Sequence, residues 1–185
     1  MSLFDIQETF FDLFDIWETI FNLLELKSQL KLISTCKYFE DQFFIKKLVR
    51  NIYLSDDIIF QKKFSRIVDL DVSDNPKITN VSFMKNLKIL RVGWNCGIGQ
   101  NGIQDLDLVE LYVNGNPKII NVSFMKNLKR LNTGGNCGIN QNGIQGLDLV
   151  ELHVDYNPKI TNVSFMKNLK ILKAGWNCGI DQNSI

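Results

Sequence analysis

The side chains with the greatest capacity for chemistry in this 185-residue chain are three cysteines, Cys96, Cys137 and Cys178, one histidine, His153, and the carboxylates Glu110 and Glu151. The cysteines recur at an interval of 41 residues. If each interval lays down two stacked strands, successive cysteines stand roughly 9 to 10 Å apart, beyond the Cα separation that a disulfide bridges. A metal site needs two to four ligands converging on one point, and a column spreads them instead. The cysteines read as a row of reduced thiols packed in an apolar interior. Glu110 and Glu151 are separated by Arg130 at the intermediate position, the pattern of a solvated ion-pair column rather than of an acid facing a base. His153 has neither a serine nor a cysteine at a matching position to activate, so it reads as a contact residue. No catalytic site, metal or cofactor is expected.

Asn80, Asn121 and Asn162 each open an N-V-S triplet, the acceptor pattern for glycosylation. The N-terminus carries no basic segment, and the apolar stretch 10–24 is broken by Asp12, Asp15 and Glu18, so neither a secretion signal nor a membrane span is read there. The triplets are therefore expected simply to open outer connections, and the protein to be soluble and cytoplasmic. With 21 basic and 20 acidic residues the formal charge is +1, which leaves no electrostatic footprint for nucleic acid.

A repeat must position these residues. Residues 70–110 return almost unchanged as 111–151 and begin a third time at Leu152. Within each 41-residue period the frame LxxLxVxxNxxI occurs twice, so the unit alternates between 20 and 21 residues. In L-x-V the two apolar side chains point to one side of a short strand and the residue between them to the other. Asn75, Asn95, Asn116, Asn136, Asn157 and Asn177 follow at one frame position, where amides can bond the backbone of the turn leaving each strand. No unit buries its own apolar face, so neighbours must stack into a solenoid with a parallel sheet on one side. From about residue 67 onward the chain resembles the leucine-rich repeat family, which implies an α/β solenoid of about six repeats with the parallel sheet on its concave face. Val49, Ile52 and Leu54 fit the same frame, so 49–66 reads as a degenerate first repeat whose strand pairs with that at Leu70, with a helical return over 56–66. The solenoid thus spans 49–185.

Residues 1–48 read as a separate helical module. Proline and glycine are absent through residue 65, and Phe10, Leu13, Phe14, Trp17, Ile20, Phe21 and Leu24 recur at helical spacing. Ser28 reads as the cap of a second helix over 29–37 with Leu30, Ile33 and Cys36 on one face. A third helix is expected over about 39–48 with Phe43, Phe44 and Leu48 inward. Residues 13–48 resemble the F-box through Leu13, the pairs Ile20-Phe21 and Leu23-Leu24, the apolar Leu30, Leu32 and Ile33, and Cys36-Lys37 ahead of Phe39. Phe14 departs from the pattern, standing where the F-box usually has proline. The resemblance implies docking on a Skp1-like subunit of a cullin-RING ubiquitin ligase through Leu13, Phe14, Ile16, Trp17, Ile20, Phe21, Leu23 and Leu24. The alternative is that the helices only cap the solenoid.

Comparing 70–110 with 111–151, ten positions differ, and seven of them fall in the strand windows 69–74 and 89–94. Divergence on one face above a fixed scaffold is what a binding surface shows, although outward residues also drift where packing does not restrain them. The outward column within L-x-V runs Asp71, Arg91, Tyr112, Asn132, His153 and Lys173. The column just before each asparagine runs Asp74, Trp94, Gly115, Gly135, Tyr156 and Trp176, so two glycines lie between aromatics. Trp94 and Tyr156 would stand about 14 Å apart over a floor of bare backbone, a recess for a side chain of a bound protein. The glycines could equally serve the turn's backbone angles. The function expected is that of a non-catalytic adaptor, with a ubiquitin-ligase subunit on the helices and an unidentified protein on the sheet. The near-identical NCGI and NVSFMKN blocks resemble repeat proteins of giant DNA viruses, which implies a host cytosol. The last repeat carries no capping element before residue 185, so self-association through that end, or fraying, is expected.

Overall fold

The computed structural model describes residues 20–35, 45–48, 55–59 and 64–181. Seven short strands stack in chain order into one parallel sheet. They are β1 (Lys47–Leu48), β2 (Asp69–Asp71), β3 (Ile89–Arg91), β4 (Glu110–Tyr112), β5 (Arg130–Asn132), β6 (Glu151–His153) and β7 (Ile171–Lys173). Each strand leucine pairs with the next, Leu48 with Leu70 and so on to Leu152 with Leu172. Parallel neighbours require a crossover. Within the repeats it is an irregular connection whose helical content is limited to 3-10 turns at Gln100–Ile103 and Asn142–Ile144. The described chain is a repeat solenoid with few helices.

The frame explains the core column by column. Leu70, Leu90, Leu111, Leu131 and Leu152 are all buried, as are Val72, Val92, Val113, Thr133 and Val154 one step along the same face. Thr133 is tolerated in that column because its hydroxyl donates to the carbonyl of His153 at 3.2 Å. Ile78, Ile98, Ile119, Ile139 and Ile160 close the far side of each turn with no exposure. Burial of this kind is worth about 1.5 to 3 kcal/mol per large aliphatic side chain, so stacking rather than the strands' own hydrogen bonds drives the fold.

The N-terminal side differs from expectation in two ways. The strand that pairs with β2 is Lys47–Leu48, inside the segment expected to be helical, rather than one within 49–54. The reason is the frame itself: Ile45 and Leu48 repeat the Ile67 and Leu70 spacing, and both are buried in the same core. Residues 39–44 of that expected helix, and the degenerate strand at 49–54, lie outside the described residues. The second helix runs over Leu26–Ile33, starting three residues before the expected 29, with Glu25 in the cap position and Ser34 closing it. Ser28 is thus inside the helix. Residues 20–23 are helical and join it through the Gln29 side-chain amide, which donates to the carbonyl of Phe21 at 2.9 Å. The return after β1 contains a helix at Asp56–Ile59, whose Asp56 carboxylate accepts from the Thr79 N–H at 2.9 Å in the next repeat. No helix among the described residues is long and apolar enough to cross a membrane.

Candidate functional site

The turn that leaves each strand fixes the geometry of the sheet's rim. Asp74, Trp94, Gly115, Gly135 and Tyr156 occupy one position of that turn, and all have positive φ, between 53° and 70°. The turn therefore demands the left-handed conformation, which glycine adopts freely and which costs another residue about 1 kcal/mol or more. In the last described turn the positive angle moves to Asn177. The two glycines satisfy the backbone, and Trp94 and Tyr156 hold exposed aromatic rings where glycine would fit without strain. Trp94 is 58% exposed and Tyr156 56%, so neither ring is held there by burial. The Trp94 ring lies across Gly115, its Cε3, Cδ2 and Cζ3 atoms within 3.0 to 3.4 Å of where a Cβ of residue 115 would stand.

Beneath the rim the strand face is a continuous charged ladder. Asp69 bridges Lys47 and Arg91. Arg91 stacks over the Tyr112 ring at 5.0 Å, and the Tyr112 hydroxyl donates to Glu110 at 2.8 Å. Arg130 then links Glu110 to Glu151, and Glu151 Oε1 lies 2.7 Å from His153 Nε2. Burial, and next the hydrogen bond to Glu110, push the Tyr112 phenol above its ordinary range. Glu110 and Glu151 are thus joined by Arg130, as the ion-pair reading expects.

The face residues expected to contact a partner divide sharply. Asp71 is buried and its Oδ1 accepts from the Ser73 N–H at 3.0 Å, so this expected contact lies inside the structure. Asn132 uses its Oδ1 on the Gly134 N–H at 3.0 Å. Arg91, Tyr112 and His153 are engaged in the ladder. Trp94, Tyr156, Trp176 and Lys173 are exposed at the rim or the last strand. Of the expected docking set, Phe21 is buried in the core while Ile20 and Leu23 are exposed. Leu24 is half-buried, and Leu13, Phe14, Ile16 and Trp17 lie outside the described residues.

The asparagine column is two columns. Asn75, Asn116 and Asn157 are buried, whereas Asn95, Asn136 and Asn177 are exposed. Asn116 donates to the carbonyls of Val92 and Ile98 and accepts from the Lys118 N–H, and Asn157 does the same for Thr133, Ile139 and Lys159. In the intervening repeats a cysteine takes this place: Cys96 and Cys137 are buried and their sulfurs accept from the N–H of Ile98 and Ile139, both at 3.4 Å. Burial pushes the Cys96 thiol up to about 11 and raises that of Cys137. Cys96, Cys137 and Cys178 are free thiols, and no group of three or more metal-ligating side chains forms among the described residues. The signal that separates the two columns was the N-C dipeptide itself, since Asn95 and Asn136 precede cysteine while Asn116 precedes proline.

Packing also explains why the outer connections repeat so faithfully. A Cβ on Gly97 or Gly138 would stand 2.4 to 2.5 Å from two carbonyl oxygens of the preceding repeat, and one on Gly102 or Gly143 2.3 Å from a third. Gln100 and Gln141 each grip the next repeat through both ends of the amide. Asn80, Asn121 and Asn162 accept from the N–H two residues on, closing the turn of each N-V-S triplet. Fixed connections therefore follow from packing alone. Comparison with family models, curated proteins and solved structures finds no match to this chain.

Proposed function

We propose that the chain is a non-catalytic protein-binding adaptor that holds a partner polypeptide on the rim and face of its repeat sheet, the concave side in the leucine-rich repeat arrangement it resembles. The observation that carries this is the pair of exposed aromatics at left-handed positions. Residues held in a sparsely populated conformation cluster at functional sites. Aromatic side chains are also the commonest binding hot spots. Trp94→Gly and Tyr156→Gly should each keep stability within about 1 kcal/mol, because relief of backbone strain offsets the lost ring contacts. Each should weaken capture of the recruited protein by about 2 kcal/mol or more. Affinity purification of wild-type and variant chains from cells, scored against thermal melts, measures both, and unchanged capture by both variants would remove the rim from the interface.

The helical module supports two readings. Exposed Ile20 and Leu23 suit a docking helix for a Skp1-like subunit, making the chain a ubiquitin-ligase substrate receptor. Buried Phe21 suits a cap that seals the solenoid. Leu23→Asp alters a side chain that is 81% exposed, so it should leave the melt unchanged and abolish binding of a Skp1-like subunit in a titration of the full chain. A folded wild-type chain that shows no binding at roughly tens of micromolar, about 6 to 7 kcal/mol of affinity, leaves the cap reading.

A further inference from the structure

We propose that the recess at the last described repeat docks a Leu-Asp-Leu or Leu-Glu-Leu segment of a partner polypeptide, a site on different residues from the rim. The solenoid supplies its own template for the occupant. In the first period the segment 102–109 is tied at both ends to the repeat before it: the Val81 N–H donates to the carbonyl of Gly102 at 2.9 Å, and the Val109 N–H donates to the carbonyl of Lys88 at 2.8 Å. Between these anchors Ile103, Leu106 and Leu108 are buried, and so are Val81, Met84 and Leu87 of the repeat they cover. The second period repeats the arrangement, with Val122 anchored on Gly143, Val150 on Lys129, and Ile144, Leu147 and Leu149 buried. Isoleucine, two residues and then Leu-Asp-Leu is thus the chain's own filling for this hollow.

In the third period the hollow is open. Val163, Ser164, Met166, Leu169, Lys170 and Leu172 hold the frame positions of 81–90 and line a volume of about 390 Å³. The Val163 N–H has no acceptor, and the Lys170 carbonyl no donor, among the described residues, so both anchors can receive an incoming chain. Ile185 takes the isoleucine's place in the sequence frame and lies outside the described residues, so the leucines and the acid between them define the occupant. Charge favours that acid. Lys88 Nζ donates to the carbonyl of Asp107 at 3.2 Å and lies 3.8 Å from its carboxylate. One period on, hydrogen bonds from Asn168, and after them the charge of Lys129, hold the Asp148 carboxyl below its ordinary range. Lys170 is the next lysine of that column and stands exposed at the wall of the recess. A second copy of the chain is a poor occupant, since its own Leu-Asp-Leu segments have both leucines buried and only unfolding frees them.

The test uses the full chain and a capped peptide with the sequence of residues 143–150, Ac-Gly-Ile-Gln-Gly-Leu-Asp-Leu-Val-NH2, followed by amide NMR shifts. The Val163 and Ile171 amides should shift and saturate at roughly 0.1 to 1 mM, where the burial of two leucines outweighs the ordering of a short peptide. A peptide with both leucines changed to serine should bind at least about tenfold more weakly. Lys170→Glu should weaken the original peptide about threefold or more and recover binding when lysine replaces the peptide's aspartate. Lys129→Glu, at a hollow already filled, should leave binding unchanged. A serine peptide that binds as tightly as the leucine peptide overturns the assignment, and so does Lys170→Glu binding the aspartate peptide as the wild type does. A Val163 amide unmoved at several millimolar peptide overturns it too, and sedimentation of the chain at the same concentration then reads the alternative, since a dimer would place a second copy in the recess.

Discussion

Asn95 and Asn116 occupy the same place in the sequence frame and different places in the energetics. Replacing Asn116 with alanine strands two carbonyls and one N–H that the amide now satisfies, with the side chain fully buried, so a loss of about 2 to 4 kcal/mol is expected. Asn95→Ala removes an exposed amide and should stay within about 0.5 kcal/mol. Paired urea melts of the two variants check this, and equal losses would mean that the buried amide is not what holds the turn. Cys96 gives a pH-dependent counterpart. Its folded thiol titrates near 11 against an ordinary value of 9.0, so below pH 9 both folded and unfolded chains carry the proton and the thiol adds no pH dependence. Above that, only the unfolded chain releases it, and stability should fall between about pH 9 and 11 by roughly 2 to 3 kcal/mol. Comparing Cys96→Ala with wild type across that window isolates the effect: the variant should be less stable at neutral pH but flatter in its alkaline slope.

At the scale of the repeat, glycine placement separates what packing requires from what it tolerates. Gly97→Ala drives a Cβ into the carbonyls of Pro76 and Ile78 at 2.5 Å, contacts that only backbone movement relieves. Gly99→Ala meets the side chain of Lys118 at 3.4 Å, an ordinary contact. The first should cost several kcal/mol, about 3 or more, and the second less than about 1, read from thermal denaturation of the two variants. The strand face and its inward and outward alternation were legible in the sequence because L-x-V has one physical solution once neighbours must stack. The rim was half legible: the aromatic and glycine column could be listed, but the left-handed angle that makes Trp94 and Tyr156 informative is a property of the turn. Asp71 was misplaced because the period-2 rule sets the side of the sheet without saying what covers it. The first strand was missed since Ile45 and Leu48 carry a single frame spacing amid lysines, and an interval of three residues is the spacing of a helical face.

Across the whole molecule, each repeat contacts only its neighbours, so stability is close to a sum of unit and interface terms. Coverage thins at the last described repeat, where Leu169, Leu172, Ala174, Cys178 and Ile180 are only partly buried. Val163, Met166, Leu169 and Leu172 line a recess there of about 390 Å³. Val154 N–H donates to the carbonyl of Lys173 at 2.8 Å, whereas Ala174 N–H, the donor for the next rung, has no acceptor among the described residues. Amides of β7 should therefore exchange faster than those of β4 and β5, and protection that rises with protein concentration would show that this edge self-associates. The additive picture makes a stronger demand. A second copy of residues 111–151 inserted after Glu151 would keep leucine on leucine inward and extend the ladder outward as Glu, Arg, Glu, Arg, Glu, its one new junction setting Tyr112 after Asn132 where His153 now stands. With the core register kept and no like charges adjacent, the insertion should raise the midpoint of urea unfolding. It should also raise the m-value by roughly a quarter, in proportion to the added buried surface. A lowered midpoint, or a second separate transition, would show that the copies are not interchangeable and that stacking alone does not set the stability of this solenoid.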